Sequence, residues 1–272
     1  MRFRVGSVPF VNAKPLVAWF ESLGEVSPVA VEYDLPSRLP RRLDDGAVDA
    51  ILVSSIDLLT QPDRRAAAGV CIGSYGPAAS VRLFSKTPIA EIASLALDAS
   101  SMTSNALARL LLQREYGVTP RTELCQPDLP AMLSTHDAAV LIGNKGLAEN
   151  AEGAVELDLG DEWTRATGLP FVWALWVGDE DLAPELAAYL EEAFRWSQAN
   201  FSQVCLQAAE SSGWDLETCE RYLGETMRYE LGEREVEGLQ LYGSLLKEFG
   251  IAESVYEPTF VHPAAAGAAS SP

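Results

Sequence analysis

Histidine is nearly absent, basic residues are few, and no apolar run is long enough to cross a bilayer. The two histidines, His136 and His262, stand in unrelated settings, one after a helix-like segment and one opening the tail. A histidine-based triad or zinc centre therefore lacks its parts, and neither a metal site nor a cofactor is expected. The 20 basic residues are outnumbered by 39 acidic ones, for a formal net charge of −19. Nucleic acid and anionic membranes are held mainly by Lys and Arg, so the charge argues against both as partners. No segment approaches the roughly 18 uninterrupted apolar residues of a membrane span. The four cysteines, Cys71, Cys125, Cys205 and Cys219, form no C-x-x-C pair and read as small buried hydrophobes in a reducing compartment. The opening residues, MRFRVGSVPFVNAKPL, contain no apolar export core and read as a first β-strand, so a cytoplasmic protein is expected.

What is present is a sizeable apolar fraction, 48%, arranged in short runs that alternate with amphipathic segments. Phe3–Val8, Ala30–Tyr33, Ala50–Val53, Cys71–Ser74 and Val81–Ser85 read as one set of strands. Leu95–Asp98, Thr122–Cys125 and Ala138–Ile142 form a second set, and Phe171–Val177 is a long apolar return strand. From Leu182 onward the pattern is wholly helical, with Pro184–Ala209, Leu216–Glu225 and Glu233–Phe249 as helices. Alternation of β and α predicts an α/β fold with mostly parallel sheets covered by helices. Two such sets predict two lobes around a hinged cleft. Residues 1–86 and 175–272, with the C-terminal helices, form the first lobe; residues 87–174 form the second, and residues 262–272 a flexible tail.

Ligands of open α/β sheets sit beyond the carboxyl ends of the strands, so the loops there matter most. Asn12, at the first strand-to-helix turn, reads either as a helix N-cap or as an amide pointed into the cleft. Ser54 and Asp57 have capping-box spacing, and a helix start at Ser54-Ser55 has free N–H groups for a carboxylate. Around the Gly76-Pro77 turn the glycines are misplaced for a nucleophile elbow at Ser74. Ser80 reads as a buried hydroxyl bonded to backbone or as a cleft residue. The cluster of hydroxyls in Ser100-Ser101-Met102-Thr103-Ser104, before a strong helix, exceeds what one cap needs and reads as a neutral anion cradle. Gly143 and Gly146 around Asn144 permit close backbone approach but lack Walker-loop spacing. Phe171 and Trp173 read as core or lobe-interface aromatics.

The segments VGSVPFVNAKPL, DGAVDAILVSSIDLL, GPAASVRLFSKTPI, SMTSNALARLLL, AAVLIGNKGL and LDLGDEWTRATGLPFVWALWV, in that order and spacing, resemble the futalosine-pathway chorismate dehydratases of menaquinone synthesis. The resemblance covers nearly the whole chain. It implies a type II periplasmic-binding-protein-like fold used as a cytoplasmic carbon–oxygen lyase, with chorismate as substrate and 3-(1-carboxyvinyloxy)benzoate as product. By position it implies Asn12 and Ser80 as catalytic contacts. The expected substrate contacts are Ser54, Ser55, Gly76, Ser101, Thr103, Ser104, Asn144 and Phe171. Asn144 stands where the family pattern has an aspartate, which argues against a carboxylate base there, and Arg82 stands where the family tends to be apolar. With no protein base in these motifs, the substrate's own enolpyruvyl carboxylate is the expected proton acceptor. A transporter's solute-binding protein shares the fold. The pathway's later naphthoate synthase needs a histidine base, and prephenate dehydratase a Thr-Arg-Phe motif that this chain lacks.

Overall fold

The computed structural model describes residues 2–149 and 151–264, so eight residues of the expected tail, 265–272, lie outside the described residues. Along the chain come β1 (Phe3–Ser7), α1 (Lys14–Leu23), β2 (Val29–Tyr33), α2 (Leu39–Asp44), β3 (Ala50–Ser54), α3 (Ser55–Thr60) and the long β4 (Arg65–Ser74). A second run comprises β5 (Arg82–Ser85), β6 (Ser94–Asp98), α4 (Thr103–Tyr116), β7 (Arg121–Cys125), α5 (Leu129–Thr135), β8 (Ala138–Leu141), α6 (Gly143–Ala148), β9 (Val155–Asp158) and α7 (Leu159–Thr167). The chain returns through β10 (Phe171–Gly178) to α8 (Pro184–Ala199), α9 (Phe201–Ser212), α10 (Leu216–Arg221), β11 (Arg228–Leu231), α11 (Glu233–Glu248) and β12 (Phe260–Val261). Between α10 and β11 lies a π-turn, Tyr222–Thr226.

Two sheets result. The larger runs β11-β4-β10-β3-β1-β2 with β12 beside β4, and the smaller runs β7-β6-β8-β5-β9. They are mixed rather than mostly parallel. β10 runs antiparallel to both β3 and β4, and β5 antiparallel to both β8 and β9. β5 corrects the expected boundary of the lobes, because residues 82–85 pair wholly within the second sheet. The outward crossing therefore precedes Arg82, not Lys86. All of β10 belongs to the first sheet, so the return crossing ends near Pro170. The C-terminal part is not wholly helical either: β11 and β12 both join β4, and Asn200 divides the expected helix 184–209 in two.

Apolar strand faces explain the core. β3 buries Ala50, Ile51, Leu52 and Val53, and β10 buries Leu175, Trp176 and Val177 on both faces, as expected for strands sandwiched between helices. A second aromatic block, Trp163, Phe171, Trp173 and Tyr242, packs where α7, β10 and α11 meet, with Phe171 4.9 Å from Tyr242 and 5.2 Å from Trp163 between ring centroids. Edge-on geometry of this kind adds to the burial.

The two crossings are tied to each other. Asp158, at the end of β9, accepts from the backbone N–H groups of Ala78 (2.9 Å) and Ala79 (2.7 Å) while also capping α7 through Gly160 (2.9 Å) and Asp161 (3.1 Å). Gly76 N–H donates to Thr164 Oγ1 at 2.8 Å, and Leu159 N–H to the Val81 carbonyl at 3.0 Å. Gly160 is required by this closeness, since a Cβ there would stand 2.7 Å from the Gly76 carbonyl oxygen. Arg82 also has a structural place. It donates to the carbonyls of Gly146 (3.1 Å) and Glu149 (2.8 Å), pairs with Glu156, and lies over the Phe84 ring.

Candidate active site

Between the sheets, where strand ends of both lobes converge, a cavity of about 90 Å³ is closed over by Val8, Phe10, Leu52, Ile72, Trp173 and Met227 on its apolar side. Its polar side carries Asn12, Ser54, Ser80, Ser100, Ser101, Thr103 and Ser104. Among the described residues, no Asp, Glu, His, Lys or Arg lines it. A larger groove of about 850 Å³, bordered by Tyr75, Phe194, Arg228 and Arg234, is open to solvent along α8 and β11. The groove adjoins the smaller cavity through Met227, and the smaller cavity, although below the roughly 300–1,000 Å³ of most ligand pockets, has the convergent donors of a ligand site.

Six of the ten expected contacts share the cavity: Asn12, Ser54, Ser80, Ser101, Thr103 and Ser104. Asn12 sits in a single 3-10 turn before α1, and the residue capping that helix is Ala13, so the N-cap reading of Asn12 falls. Ser54 does precede α3, but its side chain makes no cap hydrogen bond. Its supposed box partner Asp57 turns to Arg64 instead, at 3.3 Å. Arg64 is buried and also binds Asp44 (2.6 Å) and Asp179. Burial pushes the Asp57 carboxyl up, and the Arg64 guanidinium pulls it back only in part.

The remaining four contacts are placed elsewhere. Ser55 is fully buried behind the wall, 3.4 Å from Thr103 Oγ1. Gly76 belongs to the lobe crossing, where its N–H meets Thr164. Asn144 opens onto a separate recess with Lys14, Tyr33 and Ser211, because Gly143, with φ +60, turns the chain and leaves only itself and Ile142 facing the cavity. Phe171 lies in the aromatic block, and the neighbouring Trp173 reaches the cavity instead.

The hydroxyl cluster before α4 is arranged as a helix start aimed at the cavity. Ser101 Oγ accepts from Ser104 N–H at 3.2 Å, and Asp98 beneath takes Ser100 N–H (2.9 Å) and Ile142 N–H (3.2 Å). The positive end of this 14-residue helix, with the Ser104 and Thr103 hydroxyls, favours a carboxylate without a charged side chain. Thr103 has a further task. Its Oγ1 accepts from Ile56 N–H of α3 at 3.2 Å, a hydrogen bond from one lobe to the other.

Ser80 follows Ala79, whose φ of +59 is the only positive value at a non-glycine position among the described residues. Such a conformation is uncommon for a residue with a Cβ, and here Asp158 holds it by accepting the Ala79 N–H. Gly146 of α6 presses against the same turn, so that a Cβ there would lie 2.2 Å from the Ser80 carbonyl oxygen. Four backbone N–H groups pull the Asp158 pKa down, yet burial outweighs them and leaves it raised.

One participant carried no signal in the sequence. Tyr222, first residue of the π-turn, places its hydroxyl 2.8 Å from Ser80 Oγ and is itself buried. Burial pushes its phenol up to about 12, with the neighbouring Ser80 and Asn12 side chains pulling it back only in part. The histidines are remote: His136 contacts Thr135 and Glu123 at the far side of the smaller sheet. Burial raises all four cysteine thiols, and none lines the cavity.

A family model described as menaquinone biosynthesis matches residues 3–248. The chorismate dehydratase of Thermus thermophilus is 31% identical over 262 residues, spanning 89% of this chain and 94% of that one. The chain belongs to this family. The chorismate dehydratase of Campylobacter jejuni is 24% identical across 91% of this chain and 99% of its own. Among solved structures, the periplasmic aliphatic sulphonate-binding protein SsuA of Escherichia coli superposes with a TM-score of 0.64 at 16% identity, covering 100% of this chain and 97% of that one. The fold is thus periplasmic-binding-protein-like, as the resemblance implied. No helix among the described residues is long and apolar enough to cross a membrane.

Proposed function

We propose that this chain is a hydro-lyase of the cytoplasm that converts chorismate to 3-(1-carboxyvinyloxy)benzoate and water, as the names of its relatives suggest. The observation that carries the reading is the uncharged cavity wall: hydroxyls, one amide and a helix start, with no ionisable side chain. Chorismate brings two carboxylates of its own. The start of α4, with Ser101, Thr103 and Ser104, suits the ring carboxylate, on which charge grows when the C3 hydrogen leaves as a proton. The base is the substrate's enolpyruvyl carboxylate, beside C3. The C3–H electron pair moves into the ring, the C4–O bond breaks, and the departing hydroxide takes up that proton to leave as water. The ring becomes aromatic, which makes the step strongly downhill. Asn12 and Ser80 orient the enolpyruvyl group and the departing hydroxyl by hydrogen bonding.

Uncharged donors suit this task because they stabilise developing charge without first demanding a counter-ion in a dry site. They also explain how an acidic protein of net charge −19 holds a dianion: attraction is local and short-ranged. The test is incubation of the purified chain with chorismate, following the aromatic product by chromatography. Product formation supports the reading. Binding of chorismate without turnover reassigns the chain as a solute-binding protein and sinks it.

A further inference from the structure

Ser80 is held at both its ends. Asp158 fixes its backbone turn, with Ala79 at φ +59, and the Tyr222 hydroxyl, 2.8 Å away, is the side-chain partner of its Oγ. Tyr222 in turn is fixed from three directions. Trp214 packs edge-on at 5.5 Å, the π-turn sets its backbone, and Phe201 fills the space beside Gly224, where a Cβ would meet its ring at 2.9 Å. π-turns of this kind recur at functional sites. A phenol buried so completely, and hydrogen-bonded to a serine of the cavity wall, does more than fill volume.

We propose that Tyr222 is a positioning residue for the elimination: Tyr222 O–H donates to Ser80 Oγ, and the Ser80 hydrogen is thereby left to point into the cavity. The inference rests on the reaction proposed above. Its physical basis is donor arithmetic. A hydroxyl has one hydrogen, and an acceptor bond from Tyr222 removes the reason for Ser80 to direct that hydrogen back into the protein. A chain of donors running one way also polarises each successive O–H, so that the last is the stronger donor to the departing hydroxyl. Tyr222 does not touch substrate. It acts through Ser80, and through it the C-terminal helices, remote in sequence, complete the site.

The experiment measures kcat and KM for chorismate in the full chain, as wild type, Tyr222→Phe, Ser80→Ala and the double variant, with thermal melting read alongside. A fluorotyrosine placed at position 222, which retains the donor, is the conservative control. Tyr222→Phe is expected to lower kcat roughly ten- to hundredfold, less than the hundred- to thousandfold typical of removing a direct donor, with KM changed by no more than about threefold. The double variant is expected within about threefold of Ser80→Ala alone, because the two act as a unit. Fluorotyrosine is expected to restore turnover. Full kcat in Tyr222→Phe, or losses that multiply in the double variant, overturn the role. Failure of fluorotyrosine to restore turnover also overturns it, since packing alone is then at stake. A wild type that leaves chorismate intact sinks the reaction itself and this role with it, whereas turnover by a wild type matched by Tyr222→Phe sinks only the role.

Discussion

The two ends of β3 differ in how they handle polarity. At its carboxyl end Ser54 faces a cavity walled by neutral donors. At the opposite end of the sheet a buried arginine, Arg64, gathers Asp57, Asp44 and Asp179. The charged end is a knot in which every ion already has a partner, and it holds α2, α3 and the end of β10 together. The neutral end leaves its donors available. The ion pairs thus tie parts of the chain together while the uncharged groups are left free for a ligand, which is why a raised carboxyl such as Asp57 marks structure here and not chemistry.

That contrast breaks most sharply by substitution at each end. Ser80→Ala and Asn12→Ala are expected to lower kcat by about a hundred- to thousandfold, Asn12→Ala with little change in melting and Ser80→Ala with a loss of roughly 1–3 kcal/mol because it strands the buried Tyr222 hydroxyl, checked by steady-state product formation and a thermal scan. Arg64→Met is expected to do the reverse. It leaves Asp57 buried and unpaired, at a cost of about 3–5 kcal/mol in urea denaturation, with turnover per folded molecule retained. Gly146→Ala couples the two readouts. Its methyl would collide with the Ser80 backbone, so a loss of roughly 1–3 kcal/mol and a fall in kcat are expected together. Thr103→Val removes the cross-lobe hydrogen bond from Ile56 N–H together with one hydroxyl of the cradle, and a rise in KM of at least about two- to twelvefold is expected, from the 0.5–1.5 kcal/mol that one such bond contributes. The smallest effect concerns pH. With Tyr222 raised to about 12, the unfolded chain ionises first, so its contribution to stability is complete below pH 10 and declines between about 10 and 12. The kcat profile is accordingly expected to show no alkaline limb from this group below pH 10.

Much of the cavity was legible because strand-end loops carry it. Asn12, Ser80 and the hydroxyls of Ser101, Thr103 and Ser104 stand in such loops, and their neighbours announce the strands. The lobe boundary was misplaced because β5 reads the same whichever sheet it joins, while its partner β9, VELD, is short and half exposed. β11 escaped for a related reason: RYEL alternates too briefly to stand out between helices, and only pairing with β4 makes it a strand. The cap reading of Ser54 failed because a salt bridge to Arg64 outbid a local bond for Asp57. Tyr222 had no local signature at all. Its meaning arises from a contact with a residue 142 positions earlier, which periodicity does not report.

The paired crossings have a mechanical consequence. Asp158 and Thr164 rivet the outgoing connection to the start of α7 on the returning one, so the two act as a two-ply strap, stiff to stretching and shear and soft only to bending. A swing of the lobes about this strap, like a book about its spine, is the motion it would resist least. Ser80 sits beside that spine, where a given angle of swing displaces an atom least, so the serine would keep its station while the far rim travelled.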